Sequence, residues 1–237
     1  DTVTDYHRGL DITEATTTTS YTQDGTTFKR ETFSSYPDDV TVTHLTKKGN
    51  KTLDFTLWNS LTEDLLANGN YSWEYSNYKN GHVTTDEHGI LLKGTVKDNG
   101  LKFASYLGIK TDGTVTVQNE TLTVTGASYA TLYLSAKTNF AQNPKTNYRK
   151  DTDLEKTVKG IVEAAKTKDY ETLKKDHIKD YQSLFNRVKL NLGGNKTAQT
   201  TKEALQSYNP SKGQKLEELF FQYGRYLLIS SSRDRTD

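Results

Sequence analysis

Hydrophobic and polar positions alternate in short runs over roughly the first 140 residues, and that period of two predicts strands. TTTTSYTQDGTTFKRETFSS (16–35) places Asp24-Gly25 between two alternating runs, the dipeptide that supplies positive φ for a tight hairpin. VTVTHLT (40–46) and KTLDFTL (51–57) predict a second pair, joined through Lys47-Lys48-Gly49-Asn50. GLKFASYLGIK (100–110) is predicted to turn at Asp112-Gly113 into TVTVQN (114–119), with TLTVTG and ATLYLSA following. Thr is abundant in these runs, and β-branched side chains suit a pleated surface. Consecutive antiparallel pairs of this kind build a sandwich rather than a parallel sheet. Asn59 to Gly81 breaks the rhythm and reads as a long loop or a hairpin extension.

The period changes after Asn139. A polar connector, AQNPKTNYRKDTD, leads to Leu154, Val158, Ile161, Val162 and Ala165 at helical spacing, with Asp151 or Thr152 as the expected cap. A second helix is expected after Asp169, with Leu173, His177, Tyr181, Leu184, Phe185 and Val188 on one face. VKLNL (188–192) reads as a short strand, and Thr200 with Glu203 has the spacing of a capping box. The last predicted helix differs from the others. Leu216, Leu219, Phe220, Tyr223 and Leu227 form one stripe, but Phe221, Leu228 and Ile229 lie on the other side. A helix that is apolar nearly all round needs cover on all sides. The fold class expected is therefore α+β, an antiparallel β-sandwich followed by a C-terminal group of helices.

Composition narrows the function classes. Only 32% of the 237 residues are hydrophobic, and 11% are aromatic. Mean hydropathy is −0.80 and no run approaches the ~18 apolar residues of a membrane span, so no membrane partner is expected. Lys and Arg number 31 against 30 acids, an interspersed balance without the concentrated basic face that nucleic acid requires. The absence of Cys fits cytoplasmic proteins and the Cys-poor secreted or cell-surface proteins of some bacteria equally, and leaves localisation unassigned. The chain opens on Asp1 and holds no Met, so it reads as an excerpt.

Candidate chemistry is sparse. Glu63-Asp64 and Asp86-Glu87 are adjacent carboxylates, which point to opposite faces of a strand and promise no convergence across a cleft. His82 and His88 lie six apart with two acids between them, short of a metal-ligand spacing. His177, on an apolar helix face, reads as a core residue. No nucleophile elbow, P-loop or dinucleotide fingerprint occurs, and no metal or cofactor is expected. The one local feature with binding character is aromatic. Trp58, Tyr71, Trp73, Tyr75 and Tyr78 fall in or beside the long loop, among Asn59, Asn68, Asn70, Asn77 and Asn80. Flat rings with amide groups nearby suit an oligosaccharide partner, since sugars stack their C–H faces and exchange hydrogen bonds. A cluster that plugs one end of the sandwich, or packs on a neighbouring domain, is the plainer account of the same residues.

Three segments, taken in order, carry a resemblance. YHRGLDITEATTTTSYTQDGTTFKRETFSSYPDDVTVTHLT (6–46), DYQSLFNRVKLNLG (180–193) and FFQYGRYLLISSSR (220–233) are similar to the patterns of glycoside hydrolase family 95, the α-L-fucosidase family. The resemblance implies an N-terminal β domain over 1–140, a helical linker with a short strand over 141–214, and the first helix of a truncated (α/α)6 catalytic barrel over 215–237. It implies hydrolysis of terminal α-L-fucosyl or α-L-galactosyl linkages with inversion. The general acid and the residues that activate water would then lie in the barrel, and none maps onto a position here. The remainder of its own chain is the partner so implied.

Overall fold

The computed structural model describes residues 2–59, 79–194 and 199–233. Two compact units emerge, one of Asp1–Gly9 and Thr17–His177, the other of Leu10–Thr16 and Ile178–Thr236.

Eleven strands are found among the described residues: β1 (Val3–Asp11), β2 (Thr16–Gln23), β3 (Thr26–Ser35), β4 (Val40–Lys48), β5 (Leu53–Leu57), β6 (Lys79–Asp86), β7 (Gly89–Val96), β8 (Lys102–Thr111), β9 (Thr114–Gln118), β10 (Thr121–Ala127) and β11 (Tyr129–Thr138). Eight form one sheet in the order β1-β2-β3-β4-β11-β8-β7-β6, and three form a second in the order β5-β10-β9. The β2–β3 hairpin turns where expected, with Asp24 and Gly25 at φ +47° and +73°.

Two expected hairpins are instead crossings between the sheets. β4 pairs with β3 and β11, whereas β5 pairs with β10. Likewise β8 pairs with β7 and β11, and β9 with β10. Carboxylates brace these corners. Asp112 Oδ1 accepts the Ser128 and Tyr129 amides at 2.8 and 3.1 Å, and Asp54 Oδ1 accepts the Gly126 amide at 2.7 Å. A turn dipeptide specifies a reversal but not which sheet the next strand joins. The last three residues of the expected loop, 79–81, open β6.

Alternation sends neighbouring side chains to two different cores. Val83, Ile90, Ile109, Leu122 and Val124 are buried between the sheets, with Leu107 and Leu132 against them. Phe33, Val42, Leu91, Tyr106 and Tyr133 point to the other face of the large sheet. Helix α1 (Leu154–Lys166) covers that face with Leu154, Val158, Val162 and Ala165. Its N-cap is Asp153, whose side chain accepts the Lys156 amide at 3.0 Å, one residue beyond the expected caps. Helix α2 (Tyr170–Phe185) adds Leu173, fully buried. Gly108 allows α1 to approach β8 closely, since a Cβ there would lie 2.5 Å from Val162 Cγ1.

The second unit holds the C-terminal half of α2, helix α3 (Thr201–Gln206) and helix α4 (Gln214–Ser231). The Thr200–Glu203 capping box forms as expected. VKLNL is not a strand. It has no ladder partner among the described residues, and two of its backbone groups bond to side chains instead: Val188 O accepts from Arg225, and the Leu192 amide donates to Glu218.

Gly108→Ala is expected to destabilise by about 1–3 kcal/mol, as overpacking does. The double variant with Val162→Ala should lose less than the sum of the two single losses. Urea unfolding midpoints measure this, and strict additivity would show that the close approach does not limit the site.

Candidate functional site

Of the five aromatic residues expected to form a binding surface, Trp58 follows β5, at the edge of the small sheet, with 53% of its surface exposed. Tyr71, Trp73, Tyr75 and Tyr78 lie outside the described residues, as does the Glu63-Asp64 pair.

The histidines separate rather than converge. His82 sits exposed on β6, and His88 is exposed in the β6–β7 turn, 3.8 Å from Glu87. Asp86 builds that turn, its Oδ1 accepting the amides of His88 at 2.9 Å and Gly89 at 3.1 Å. Among the described residues no group of three His, Cys, Asp or Glu comes together to hold a metal ion. His177 is 4% exposed and stacks on Phe33 with ring centroids 4.8 Å apart, a core position.

The structure also reveals a polar cluster under α2, on the face that strand alternation gives to Phe33 and Val42. Glu31, two residues before Phe33, shares its face, and His44, two after Val42, pairs opposite it. Glu31 accepts from Lys174 at 2.9 Å and lies 3.1 Å from Lys29. Burial alone would push the Glu31 carboxyl up, but the hydrogen bonds from Lys174 and Lys29 outweigh it and hold it below the ordinary value. His44 Nδ1 is 2.7 Å from Thr131 Oγ1, and its ring stacks on Tyr170 at 3.9 Å. Burial pushes the imidazole down, while Glu31 and Glu171 only partly oppose this and Lys29 and Lys174 reinforce it. Burial likewise pushes the Tyr170 hydroxyl up, with the Glu31 charge adding to it. One carboxylate held by two ammonium groups beside a neutral imidazole is no acid/base pair facing a cleft. Its effect is to fasten α2 to the sheet.

An open groove of about 480 Å³ runs beside the β8–β9 corner, lined among others by Glu87, Ile109, Lys110, Val115 and Glu163. Glu163 is engaged by Lys166 at 3.0 Å, and no aromatic face lines the groove.

Among the described residues, α4 of the second unit carries several exposed apolar side chains. On α4, Phe220 is 79% exposed and Leu228 65%, with Phe221, Tyr223 and Leu227 also open to water. Surface of this extent on one helix marks an interaction site. Polar contacts hold the helix from its other side. Arg225 Nη2 donates to Phe185 O at 2.9 Å and Leu184 O at 3.3 Å, Nη1 to Val188 O at 3.0 Å, and the guanidinium lies over the Phe185 ring at 5.0 Å. Carbonyls at the end of α2 are thus capped by a side chain from α4. Arg233 adds a paired contact to the Asp180 carboxylate at 2.9 and 2.8 Å. Tyr181 donates to Ile12 O at 2.7 Å. Among the described residues no helix is long and apolar enough to cross a membrane.

Two family models match the chain, with boundaries that differ from those of the two compact units. Residues 1–143 match the family described as "Glycosyl hydrolase family 65, N-terminal domain", and residues 169–237 match "Glycosyl hydrolase family 95 catalytic domain". The chain is 29% identical over 261 residues to "Alpha-L-fucosidase 2" of Arabidopsis thaliana, an alignment that covers 98% of this chain and 29% of that one. It is 32% identical over 247 residues to "Probable alpha-fucosidase A" of Aspergillus niger, covering 96% of this chain and 28% of the relative. The chain thus spans under a third of the length of these curated relatives. A solved structure from the human microbiome, assigned as a kojibiose phosphorylase, shares the fold with a TM-score of 0.56 at 12% identity, over 78% of this chain and 25% of that one.

Because His44 favours the neutral form when folded, the unfolded chain binds a proton that the folded chain does not once pH drops below about 6.5. The stability this residue supports is complete above that value and declines as pH falls through it. His44→Gln should flatten this limb of the profile, as read from thermal midpoints just above the range where carboxylates protonate. An unchanged slope would exclude His44 as its source.

Proposed function

This chain belongs to the family of the glycosyl hydrolase family 65 N-terminal domain, and from that premise and its match to a family 95 catalytic domain we propose that it forms the β domain and linker of a larger α-L-fucosidase-like enzyme of glycoside hydrolase family 95. The whole enzyme would hydrolyse terminal α-L-fucosyl or α-L-galactosyl linkages with inversion. The proposed division is a β domain over 1–140, a linker over 141–214 and the first barrel helix over 215–237. The chain itself would be non-catalytic, a scaffold from which the barrel is built.

One observation carries this reading. The segment that matches a family 95 catalytic domain contains α4, a helix seated by Arg225 and Arg233 yet with Phe220 and Leu228 exposed. An inner barrel helix needs that combination, being fixed on one side and apolar where later helices pack. The carboxylates described above support it from the other direction, since Glu31 is neutralised by lysines and Asp86 is consumed by a turn.

The half-exposed Trp58 favours a second role for the β domain, in which Trp58, Tyr71, Trp73, Tyr75 and Tyr78 hold an oligosaccharide. Loss of saturable glycan binding in Trp73→Ala would support it, and binding unchanged by that substitution would exclude it.

The purified chain is expected to leave 4-nitrophenyl α-L-fucoside and 2′-fucosyllactose intact under conditions in which a whole α-L-fucosidase turns them over. Hydrolysis by the chain at a comparable rate would overturn the scaffold reading.

A further inference from the structure

Among the described residues each sheet has two edge strands, β1 and β6 in the large sheet and β5 and β9 in the small one. An unpaired edge offers a row of backbone donors and acceptors to another strand, and proteins guard it with charge, proline or a bulge. Three of these edges carry such a guard. β1 has Asp5 in the left-handed region at φ +51°, together with His7, Arg8 and Asp11. β6 has His82 and Asp86, and β5 has Asp54. β9, Thr-Val-Thr-Val-Gln, has no charge, no proline and no positive φ.

The free side of β9 follows from its pairing. A two-residue turn, Asn119-Glu120 at φ +49° and +59°, joins it to β10, with Gln118 opposite Thr121. The pair that closes such a turn is hydrogen-bonded, and bonded pairs alternate along the ladder. Thr114, Thr116 and Gln118 therefore bond to β10, while N–H and C=O of Val115 and Val117 point away from it. Val117 is also 39% exposed. The open groove at the β8–β9 corner meets the start of this edge, where Lys110, Gly113 and Val115 line it. Lys166 in that groove is held by Glu163, whereas Lys110 has no ion-pair partner among the described residues and reaches Lys166 O at 3.4 Å. The turn at the far end of β9 is the kind that favours glycine at its second position. Glu120 is held there in the left-handed region against its preference, which points to a use for its side chain.

We propose that β9 is a self-association edge, which pairs antiparallel with β9 of a second copy of this chain about a two-fold axis at Thr116. In that register Val115 lies opposite Val117 of the second copy, and Val117 opposite its Val115. Every outward N–H and C=O of both valines is then bonded, and two three-stranded sheets become one of six strands. Side-chain faces agree as well. Valine meets valine on the core side, and Thr116 meets Thr116 on the other, a favourable cross-strand pair. A slip of one residue would set the two faces against each other. The ends match in charge. Glu120 of the second copy comes opposite position 112, beside the groove that Lys110 lines, and the two-fold axis makes this contact twice. An isologous interface has to be complementary to itself, and this edge meets that condition in backbone, side chains and charge. The pairing is independent of the fucosidase reading.

A five-residue pairing is far smaller than a standard interface, so the dimer is a weak one. The test is sedimentation equilibrium of the purified chain over roughly 10 µM to 1 mM, where a monomer–dimer equilibrium is expected. Val117→Pro should weaken it about tenfold or more, since it deletes an outward N–H. Its thermal midpoint should stay near that of the parent, because proline is tolerated on an edge strand at a position whose N–H faces solvent. Glu120→Lys should also weaken the dimer, and adding Lys110→Glu should restore it, a recovery that a damaged fold would not show. A monomer throughout this range would overturn the proposal. So would a dimer that survives Val117→Pro, or a charge exchange that fails to restore association. Association removed by Phe220→Asp but not by Val117→Pro would assign it to α4 and overturn it likewise.

Discussion

An eight-stranded sheet whose strands carry apolar side chains on both faces cannot stand in water, because either bare face would expose a continuous hydrophobic surface. In the larger unit the three-stranded sheet covers one face, and α1 with the first half of α2 covers the other. The chain achieves the first by leaving the large sheet twice, after β4 and after β8, and returning each time. It achieves the second by bringing α1 close enough to β8 that only glycine fits at position 108. Side-chain carboxylates at Asp54 and Asp112 saturate the backbone at the corners that this topology creates.

The same constraint explains which parts of the fold could be read from sequence. Alternation in β3, β4, β8 and β11 identifies strands, and Leu154, Val158, Val162 and Ala165 identify α1, because one period governs each element. Pairing is different, since it depends on residues far apart. Nothing local to Asp112-Gly113 states that β9 will pair with β10 alone, and the deciding contact runs to Ser128 and Tyr129. VKLNL alternates as a strand should, yet alternation is only an offer of pairing and no ladder takes it up.

Sites were less legible than elements. Glu31 and His44 look like ordinary solvated residues until the α2 face of the sheet is known, after which their burial and their lysine and tyrosine neighbours follow. Trp58, by contrast, stands out by residue type alone.

The guanidinium of Arg225 also bears on the orientation of α4. Its carbonyl acceptors lie 37 to 41 residues earlier in the chain, so a long-range contact rather than a local one sets how α4 is turned about its axis. Rolling the helix would break these bonds and the Arg233–Asp180 pair together, so Phe220 and Leu228 keep one orientation for as long as both arginines hold.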